Sequence, residues 1–473
     1  MMKKIGIIIL VSLLVMSCKD DFLEVSPSES LPPSEAFKDL TAVGQTVLGM
    51  YSGLQPDDYY SFFIIAAPAV KGDDFQTRQP GSRTEGLYRF NETSEATNGA
   101  AGFWDQAYYV LNIANAIIAN IDALQIDTSA DVALKNQYKG EALAIRALVH
   151  FDLARIFGKP YSVDNSVDAA PLITTVQTLT DDPMRASVAD VYAQVVEDFT
   201  AAIDLLPVSS GNGRLNSWAA KALLSRVYLY MEENTLALNM AKDVIDNGPY
   251  TLISNEEYVA SFAQDFNAER IFEIVNTSAD NPGGRETIGY VSGPNSTTDG
   301  YGAIITTQVF EDLISSEPND VRNAMFSKDD SDNAKGYFKK WPGKPGASVI
   351  LNNIPVIRLS EVYLNAAEAA VKSNNSGDAN TYLGAIMTRA NPTVTVPVAP
   401  TLIDVLTERR KELALEGHRF FDLMRNNLAS NRTGGRHLVG VVEQITNSDT
   451  RAIFPVPEVE RRKTDNLTQN PGY

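Results

Sequence analysis

Cysteine is almost absent from this chain, in which Cys18 is the single cysteine among 473 residues. A lone cysteine cannot form an internal disulfide, so the stability of the fold must come from burial. Histidine is nearly as scarce, and the three histidines, His150, His418 and His437, show no metal-ligand spacing. The sequence also lacks the HExxH, GxSxG, GxGxxG and P-loop patterns. No sequence motif therefore points to a zinc hydrolase, a serine hydrolase or a nucleotide-binding enzyme.

Positive charge is also in deficit. The chain has 40 lysines and arginines against 59 aspartates and glutamates, for a formal net charge of −19. Nucleic acids and anionic lipid surfaces both require a basic footprint on their partner, so this balance argues against both. The acidic surface fits neutral or cationic ligands and favours solubility.

Long apolar runs are missing except at the start, where residues 5–16 are almost entirely apolar. This run is too short to span a bilayer, which needs about 20 apolar residues. Together with Lys3 and Lys4 it predicts a secretory signal peptide over residues 1–17. The following VMSC resembles a bacterial lipobox, in which the cysteine becomes the acylated first residue of the mature chain. Cys18 is thus the predicted lipidation site, although an ordinary signal peptide with an incidental cysteine is an alternative.

Helical periodicity dominates the remainder and predicts a mainly α fold. The predicted helices cover residues 103–124, 131–157, 187–206, 216–231, 235–247, 359–372, 378–390 and 402–416. They pair as hairpins whose alanine-rich pattern resembles tetratricopeptide repeats, with the 34-residue period only loosely kept. We expect one domain, 18–473, with a helical scaffold over about 40–247 and 354–430. A loop-rich insert over about 248–353 and a C-terminal docking segment, 431–473, would complete it.

Five stretches stand out in order along the chain: SCKDDFLEVSP after the signal peptide, GEALAIRALVHFDLARIFGKP (140–160), IPVIRLSEVYLNAAEA (354–369), ERRKELALEGHRFFDLMR (408–425) and AIFPVPEVERRKTDNLTQNPGY (452–473). Together they resemble the motifs of the SusD/RagB family, the surface glycan-binding lipoproteins of Bacteroidetes. The resemblance extends from the signal peptide to the last residue. It implies a SusD-like fold without enzymatic activity or cofactor.

The resemblance also implies a location and a partner. Lys19, Asp20 and Asp21 resemble the acidic signal that sends lipoproteins of this phylum to the outer face of the outer membrane. There the protein would capture an oligosaccharide and deliver it to a SusC-like TonB-dependent transporter, which its helical repeats would contact. Capture of peptides for a RagA-type transporter is the alternative within the family. A glycoside hydrolase or esterase and a scaffold without a small ligand are further alternatives.

Sugar binding requires aromatic rings beside polar groups that hydrogen-bond to hydroxyls, so we expect the pocket to combine solvent-exposed loop aromatics with polar neighbours. Four loop segments meet this requirement: 56–63, 70–83, 285–302 and the 339–348 loop around Trp341. The candidate ligand-binding residues in them are Trp341, Tyr290, Tyr301, Asp73, Asp74 and Arg78. We expect Trp341 to be exposed because it lies in a Gly- and Pro-rich loop, and Trp104 and Trp218 to belong to the core. Asp73 and Asp74 are predicted as surface acids, with an incidental calcium site as a possibility.

The charged residues of the 408–425 stretch recur at spacings of three and four, which brings opposite charges together on a helix. They predict buried arginine–carboxylate pairs that lock the C-terminal helix to the scaffold. His418 is interpreted as a structural histidine. Catalysis by Glu412 or Glu416 is the alternative to this structural interpretation.

Overall fold

The structure is a computed structural model that describes residues 33–178, 180–294, 300–329 and 332–473. The predictions of a signal peptide, of acylation at Cys18 and of an export signal at 19–21 lie outside the described residues. Tertiary structure can therefore be compared with the sequence-based expectations from residue 33 onward.

The fold is mainly α-helical, as the sequence predicts. The helices of the described residues are α1 (Pro33–Ala36), α2 (Leu40–Ser52), α3 (Phe63–Lys71), α4 (Glu85–Arg89), α5 (Ala100–Asn120), α6 (Ser129–Phe157), α7 (Val188–Leu205), α8 (Ser217–Tyr230), α9 (Asn234–Asn247), α10 (Tyr258–Ser261), α11 (Ile288–Ser292), α12 (Gln308–Ser315), α13 (Leu359–Lys372), α14 (Ser376–Ala390), α15 (Leu402–Glu412), α16 (Arg419–Arg425) and α17 (Glu458–Arg461). Three short 3-10 turns cover Ile121–Ala123, Val321–Met325 and Thr450–Ala452.

Side-chain caps fix the starts of the long helices. Thr128, Ser187 and Asn216 each accept a hydrogen bond from a backbone N–H in the first turn of α6, α7 and α8. Thr401 and Asp404 form a complete capping box at the start of α15. This helix ends at Glu412, four residues before the predicted end, because Leu415 adopts a left-handed φ of 58° and the chain turns away.

Successive long helices pack against each other: α5 on α6, α6 on α7, α7 on α8, α8 on α9, α9 on α13 and α13 on α14. A small residue allows one of the closest approaches. A Cβ added to Gly140 in α6 would lie 2.9 Å from Cγ of Leu206, just after α7. The shared core includes Trp104, which is 4% exposed as predicted, whereas Trp218 is half-buried at its edge. The tetratricopeptide character of these hairpins stays a prediction.

Ten short strands of the described residues form five antiparallel pairs. They are β1 (Phe75–Thr77) with β5 (Ile304–Thr306), β2 (Asp168–Pro171) with β3 (Arg185–Ser187), β4 (Arg270–Ile274) with β8 (Ile354–Arg358), β6 (Phe326–Asp329) with β7 (Asp332–Phe338), and β9 (Ser430–Asn431) with β10 (Gln444–Ile445). In the first pair Phe75 lies opposite Thr306. That pair joins the 70–83 segment to the chain that follows the 285–302 segment, so two predicted ligand loops become neighbours.

Candidate functional site

Three of the four predicted ligand segments, 56–63, 70–83 and 285–302, are joined by backbone hydrogen bonds into one layer of loops. The backbone N–H of Ile288 donates to the carbonyl oxygen of Ser61 at 2.6 Å, which joins segment 285–302 to segment 56–63. The N–H of Arg78 donates to the carbonyl oxygen of Ala303 at 2.9 Å, and this joins segment 70–83 to the same layer. These backbone bonds fix the relative positions of loops that are far apart in sequence.

Three of the four aromatic residues of segment 56–63 face the core, and the fourth, Phe62, is half-buried. Tyr59 is fully buried, Tyr60 is 5% exposed, and both hydroxyls donate to Oδ2 of Asp152, at 2.9 and 2.7 Å. Phe63 begins helix α3 and is 1% exposed. The expectation of exposed rings here is wrong, because these side chains fill the space between α3 and the long helices.

Tyr290 and Tyr301 form a T-shaped pair with ring centroids 4.7 Å apart. The backbone N–H of Tyr301 donates to the carbonyl oxygen of Tyr290 at 2.8 Å, which holds the two residues side by side. Tyr290 is 4% exposed, so the prediction that its ring faces solvent is wrong. Tyr301 is half-buried and extends toward the surface. Tyr290 therefore positions Tyr301.

Arg83 covers one face of Tyr301. Its guanidinium carbon lies 4.4 Å from the ring centroid, and Nη2 donates to the Tyr301 hydroxyl at 3.0 Å. The same guanidinium forms an ion pair with Glu286. The side chains of Arg83 and Glu286 are 44% and 39% exposed, so both polar groups are available at the surface. We call Arg83, Glu286 and Tyr301 the Arg83 cluster.

Burial and neighbouring charges act in opposite directions on Glu286. Partial burial raises the pKa of Glu286, the Arg83 guanidinium lowers it, and the negative charge of Asp57 raises it, with a net increase. Arg285 adds a second exposed guanidinium, 5.6 Å from the ring centroid of Tyr290. Arg83, Arg285 and Glu286 were not among the predicted site residues. Their position beside loop aromatics was the available signal.

Asp73 and Asp74 are structural rather than surface acids. Asp73 accepts hydrogen bonds from Nε and Nη2 of Arg419 at 2.7 and 2.9 Å, and Asp74 accepts from Nε of Arg410. Burial raises the pKa of both carboxyls. At Asp73 the Arg419 charge outweighs burial and lowers the pKa overall, whereas the pKa of Asp74 stays raised. The expectation of exposure is wrong, because these carboxylates are buried and form ion pairs with the arginines of the C-terminal charged motif.

Trp341 is buried as well. Its side chain belongs to the main hydrophobic core, the residue is 6% exposed, and Nε1 donates to the carbonyl oxygen of Leu415 at 3.2 Å. The neighbouring Lys340 is drawn inward with it, since Nζ donates to the carbonyl oxygen of Glu412 at 2.7 Å and pairs with Glu416 at 2.5 Å. The expectation of an exposed tryptophan is wrong because a buried ion pair anchors its loop.

Arg78 remains at the surface margin. It is half-buried, directly follows β1, and its backbone is fixed to Ala303 in the layer that carries Tyr301. Of the six predicted ligand residues, Tyr301 and Arg78 are therefore the two that keep partial exposure in this layer.

The charged motif forms a buried network centred on Glu412. Glu412 Oε1 accepts from Arg358 at 2.7 Å and from Arg389 at 2.6 Å, while Oε2 accepts from Arg322 at 3.3 Å. Burial alone would raise the pKa of Glu412, but these cations hold it well below its usual range. The prediction of buried pairs that lock this motif to the scaffold is confirmed.

The same network explains Glu416 and His418. Arg358 and Lys340 overcome the effect of burial and lower the pKa of Glu416 to about 2. Burial lowers the pKa of His418 to about 4, so the imidazole is neutral at pH 7. Glu412 and Glu416 both form ion pairs with buried arginine and lysine side chains. This arrangement is typical of structural ion pairs rather than of catalytic acids.

The described part of the chain also bears on two other kinds of site, metal centres and membrane-spanning helices. Within residues 33–473, apart from the gaps given above, no group of three or more His, Cys, Asp or Glu side chains is arranged to hold a metal ion. No helix in the same part combines the length and apolar character needed to cross a bilayer.

Fold and site together define a mainly α-helical protein with an exposed cluster of hydrogen-bonding side chains. Two family models match it: the SusD family over residues 319–473, and a family described as "Starch-binding associating with outer membrane" over residues 21–229. A putative sugar binding protein of Bacteroides vulgatus is 37% identical, with a TM-score of 0.87, covering 92% of this chain and 99% of that one.

Two further relatives also carry SusD descriptions. A SusD superfamily protein of Bacteroides thetaiotaomicron is 35% identical with a TM-score of 0.87, and the match covers 92% of this chain and all of that one. A SusD-like protein of Formosa agariphila is 25% identical over the whole of both chains. The chain belongs to the SusD family.

Proposed function

We propose that this protein binds an oligosaccharide without chemically changing it, and that the Arg83 cluster contacts the ligand. The observation that carries the proposal is the meeting of three separate loop segments at an exposed group of polar and aromatic side chains. Support comes from the similar chain of Bacteroides vulgatus, which is described as a putative sugar binding protein.

The chemistry of the cluster suits sugar hydroxyls. Arg83 supplies only donors, Glu286 supplies only acceptors when ionised, and the Tyr301 hydroxyl can do both. A vicinal diol presents donor and acceptor groups together, so it can bridge the two members of an ion pair. Arg83 covers one face of the Tyr301 ring, so hydrogen bonding rather than ring stacking would dominate here. Arg78 and Arg285 would extend the donor set, and Tyr290 would hold Tyr301 in place.

We further propose that acylation of Cys18 anchors the chain to the outer membrane with its body exposed at the cell surface. From there it would deliver its ligand to a SusC-like TonB-dependent transporter. Support comes from the family resemblance and from the matching family description, which names association with the outer membrane. The substitution Cys18→Ser should move the protein from the membrane to the soluble fraction of cells, and unchanged membrane association would contradict the anchor.

Affinity electrophoresis of residues 19–473 through gels containing different polysaccharides tests the binding proposal. Arg83→Met should lose about 2 kcal/mol of binding to any polysaccharide that retards the wild type, since a hydrogen bond from a charged donor is worth about 1.5–3 kcal/mol. Arg462→Met is the matched control, because Arg462 also forms an exposed pair with a glutamate, Glu95.

Equal weakening by the two substitutions would show that the loss reflects surface charge rather than a site. Failure of every polysaccharide to retard the wild type would contradict glycan binding. A library of cationic peptides would then test the peptide-capture alternative. Cationic peptides are the next ligand class because the chain has a net charge of −19.

A further inference from the structure

A cavity of about 250 Å³ shares no residue with the Arg83 cluster. Its walls are the loop from Val208 to Arg214, the turn at Pro249 and Tyr250, and most of β4 with the residues before it. The cavity therefore lies where helix α8 begins beside strand β4.

Phe266 stands at this cavity with two unusual properties. It is 37% exposed, and among the described aromatic residues only Tyr109, at 57%, joins it as a largely exposed side chain. Its backbone has a φ of 50°, in the left-handed region that costs free energy for a bulky side chain. The N–H of Phe266 donates to Oε1 of Glu273 at 2.8 Å, which holds this conformation. The fold thus maintains a strained backbone and an exposed ring at the same place.

Polar groups surround the ring. Asn212, Asn216 and Asn267 line the cavity, and the Asn216 amide donates to the Tyr250 hydroxyl at 3.0 Å. Arg270 also lines it, and 94% of that side chain is buried, since 6% is exposed. Nη1 of Arg270 has no hydrogen-bond partner among the described residues, and the Arg270–Glu273 pair is held at only 3.8 Å. A buried guanidinium normally has its donors satisfied, so this site has unused hydrogen-bonding capacity.

A neighbouring cavity of about 320 Å³ shares Asn212, Gly213 and Arg214 with the first. Its lining adds the half-buried ring of Tyr51 and Leu48, which is 49% exposed. The Arg214 guanidinium lies 5.4 Å from the Tyr51 ring centroid and so connects the two cavities through one side chain. Binding pockets have volumes of about 300–1,000 Å³, which the two cavities reach together.

We infer that these two cavities form a second carbohydrate-binding site, with one sugar ring packed on Phe266 and its hydroxyls bound by the Arg270 guanidinium and the Asn212 amide, which line the same cavity. Exposed aromatic area beside amide groups matches the apolar face and hydroxyl rim of a neutral pyranose. The adjoining cavity extends the site to a second ring, so the ligand is an oligosaccharide rather than a monosaccharide. The inference rests on the proposed function, because both require the chain to bind carbohydrate.

Affinity electrophoresis on the same panel of polysaccharides, with the chain from residue 19 to 473, tests the second site. Phe266→Ala should weaken retardation about tenfold, which corresponds to about 1.4 kcal/mol, because it removes the aromatic face on which the sugar ring packs. Phe266→Tyr keeps the ring and should bind like the wild type. Tyr109→Ala is the control, since it removes a more exposed ring that lines neither cavity.

Phe266→Gly separates binding from folding. Glycine adopts a positive φ without strain, so this variant should unfold at or above the wild-type temperature and still lose binding. Because the two sites share no residue, the losses from Phe266→Ala and Arg83→Met should add in the double variant.

Wild-type retardation of Phe266→Ala and Phe266→Gly, on polysaccharides whose binding Arg83→Met weakens, would overturn the second site and leave the proposed function standing. A loss in Tyr109→Ala equal to that in Phe266→Ala would overturn it too. No retardation of the wild type by any polysaccharide would remove both proposals together.

Discussion

Arg358 provides the sharpest test of how the C-terminal motif is held in place. Its guanidinium donates to Glu269 Oε1 at 2.8 Å, to Glu412 Oε1 at 2.7 Å and to both oxygens of Glu416 at 2.8 and 2.9 Å. A fifth bond goes to the carbonyl oxygen of Glu412 at 2.8 Å, and the side chain is 4% exposed. Arg358 thus links three buried carboxylates.

Arg358→Met should lower the free energy of unfolding by about 3–5 kcal/mol, because removing one partner of a buried pair leaves uncompensated charge. Glu416 would lose the largest share of its charge compensation, since Lys340 would be its one remaining cationic partner in the described part of the chain. The measurement is the urea concentration at half-unfolding, together with the slope of the transition.

The control for Arg358→Met is Lys38→Met, which breaks a pair with Glu35 whose side chains are 56% and 54% exposed. An exposed pair contributes about 0–1 kcal/mol. Equal losses in Arg358→Met and Lys38→Met would refute the reasoning, since they would mean that burial of the network adds nothing.

Two further predictions concern stability. Trp341→Phe should destabilise the fold by about 1–3 kcal/mol, because it leaves the Leu415 carbonyl oxygen without its hydrogen-bond donor. Retardation by polysaccharides should be unchanged. A folded variant that is no longer retarded would show that Trp341 contacts the ligand. Acid should destabilise the fold in two pH ranges. The measurement is the melting temperature as a function of pH. His418 has a folded-state pKa of about 4 against a usual 6.5, so its contribution is lost as pH falls from about 6.5 to 4. Glu361, Glu368 and Glu416 have folded-state pKa values of about 2 against 4.5, so about 3 kcal/mol each is present above pH 4.5 and lost toward pH 2. A flat melting temperature from pH 7 to 3 would contradict both assignments.

The sequence predicted the long helices well because their signals are local. Ser187 caps α7 at the start of the predicted 187–206 helix, and the alanines of α6 face a continuous core. The charge spacing of residues 408–425 correctly predicted buried pairs, since side chains three and four apart on a helix share a face. What this spacing could not show was the identity of distant partners such as Glu269 and Arg358.

The site predictions failed where a distant partner overrides local composition. Trp341 lies in a Gly- and Pro-rich loop, but its neighbour Lys340 is anchored by Glu416, 76 residues further along the chain. Asp73 is paired with Arg419 across 346 residues, which no local pattern reveals. Composition selected four loop segments, and the fold brings three of them together in the layer that holds Tyr301 and Arg78. It could not show which of their side chains the fold leaves exposed.

Contact between the Arg83 cluster and a bound oligosaccharide can be seen directly in a crystal structure. The crystal would contain residues 19–473 and the oligosaccharide derived from the most strongly retarding polysaccharide. We expect sugar hydroxyls within hydrogen-bond distance of Arg83, Glu286 and the Tyr301 hydroxyl. A well-ordered ligand bound elsewhere, with these three side chains contacting only each other, would contradict it.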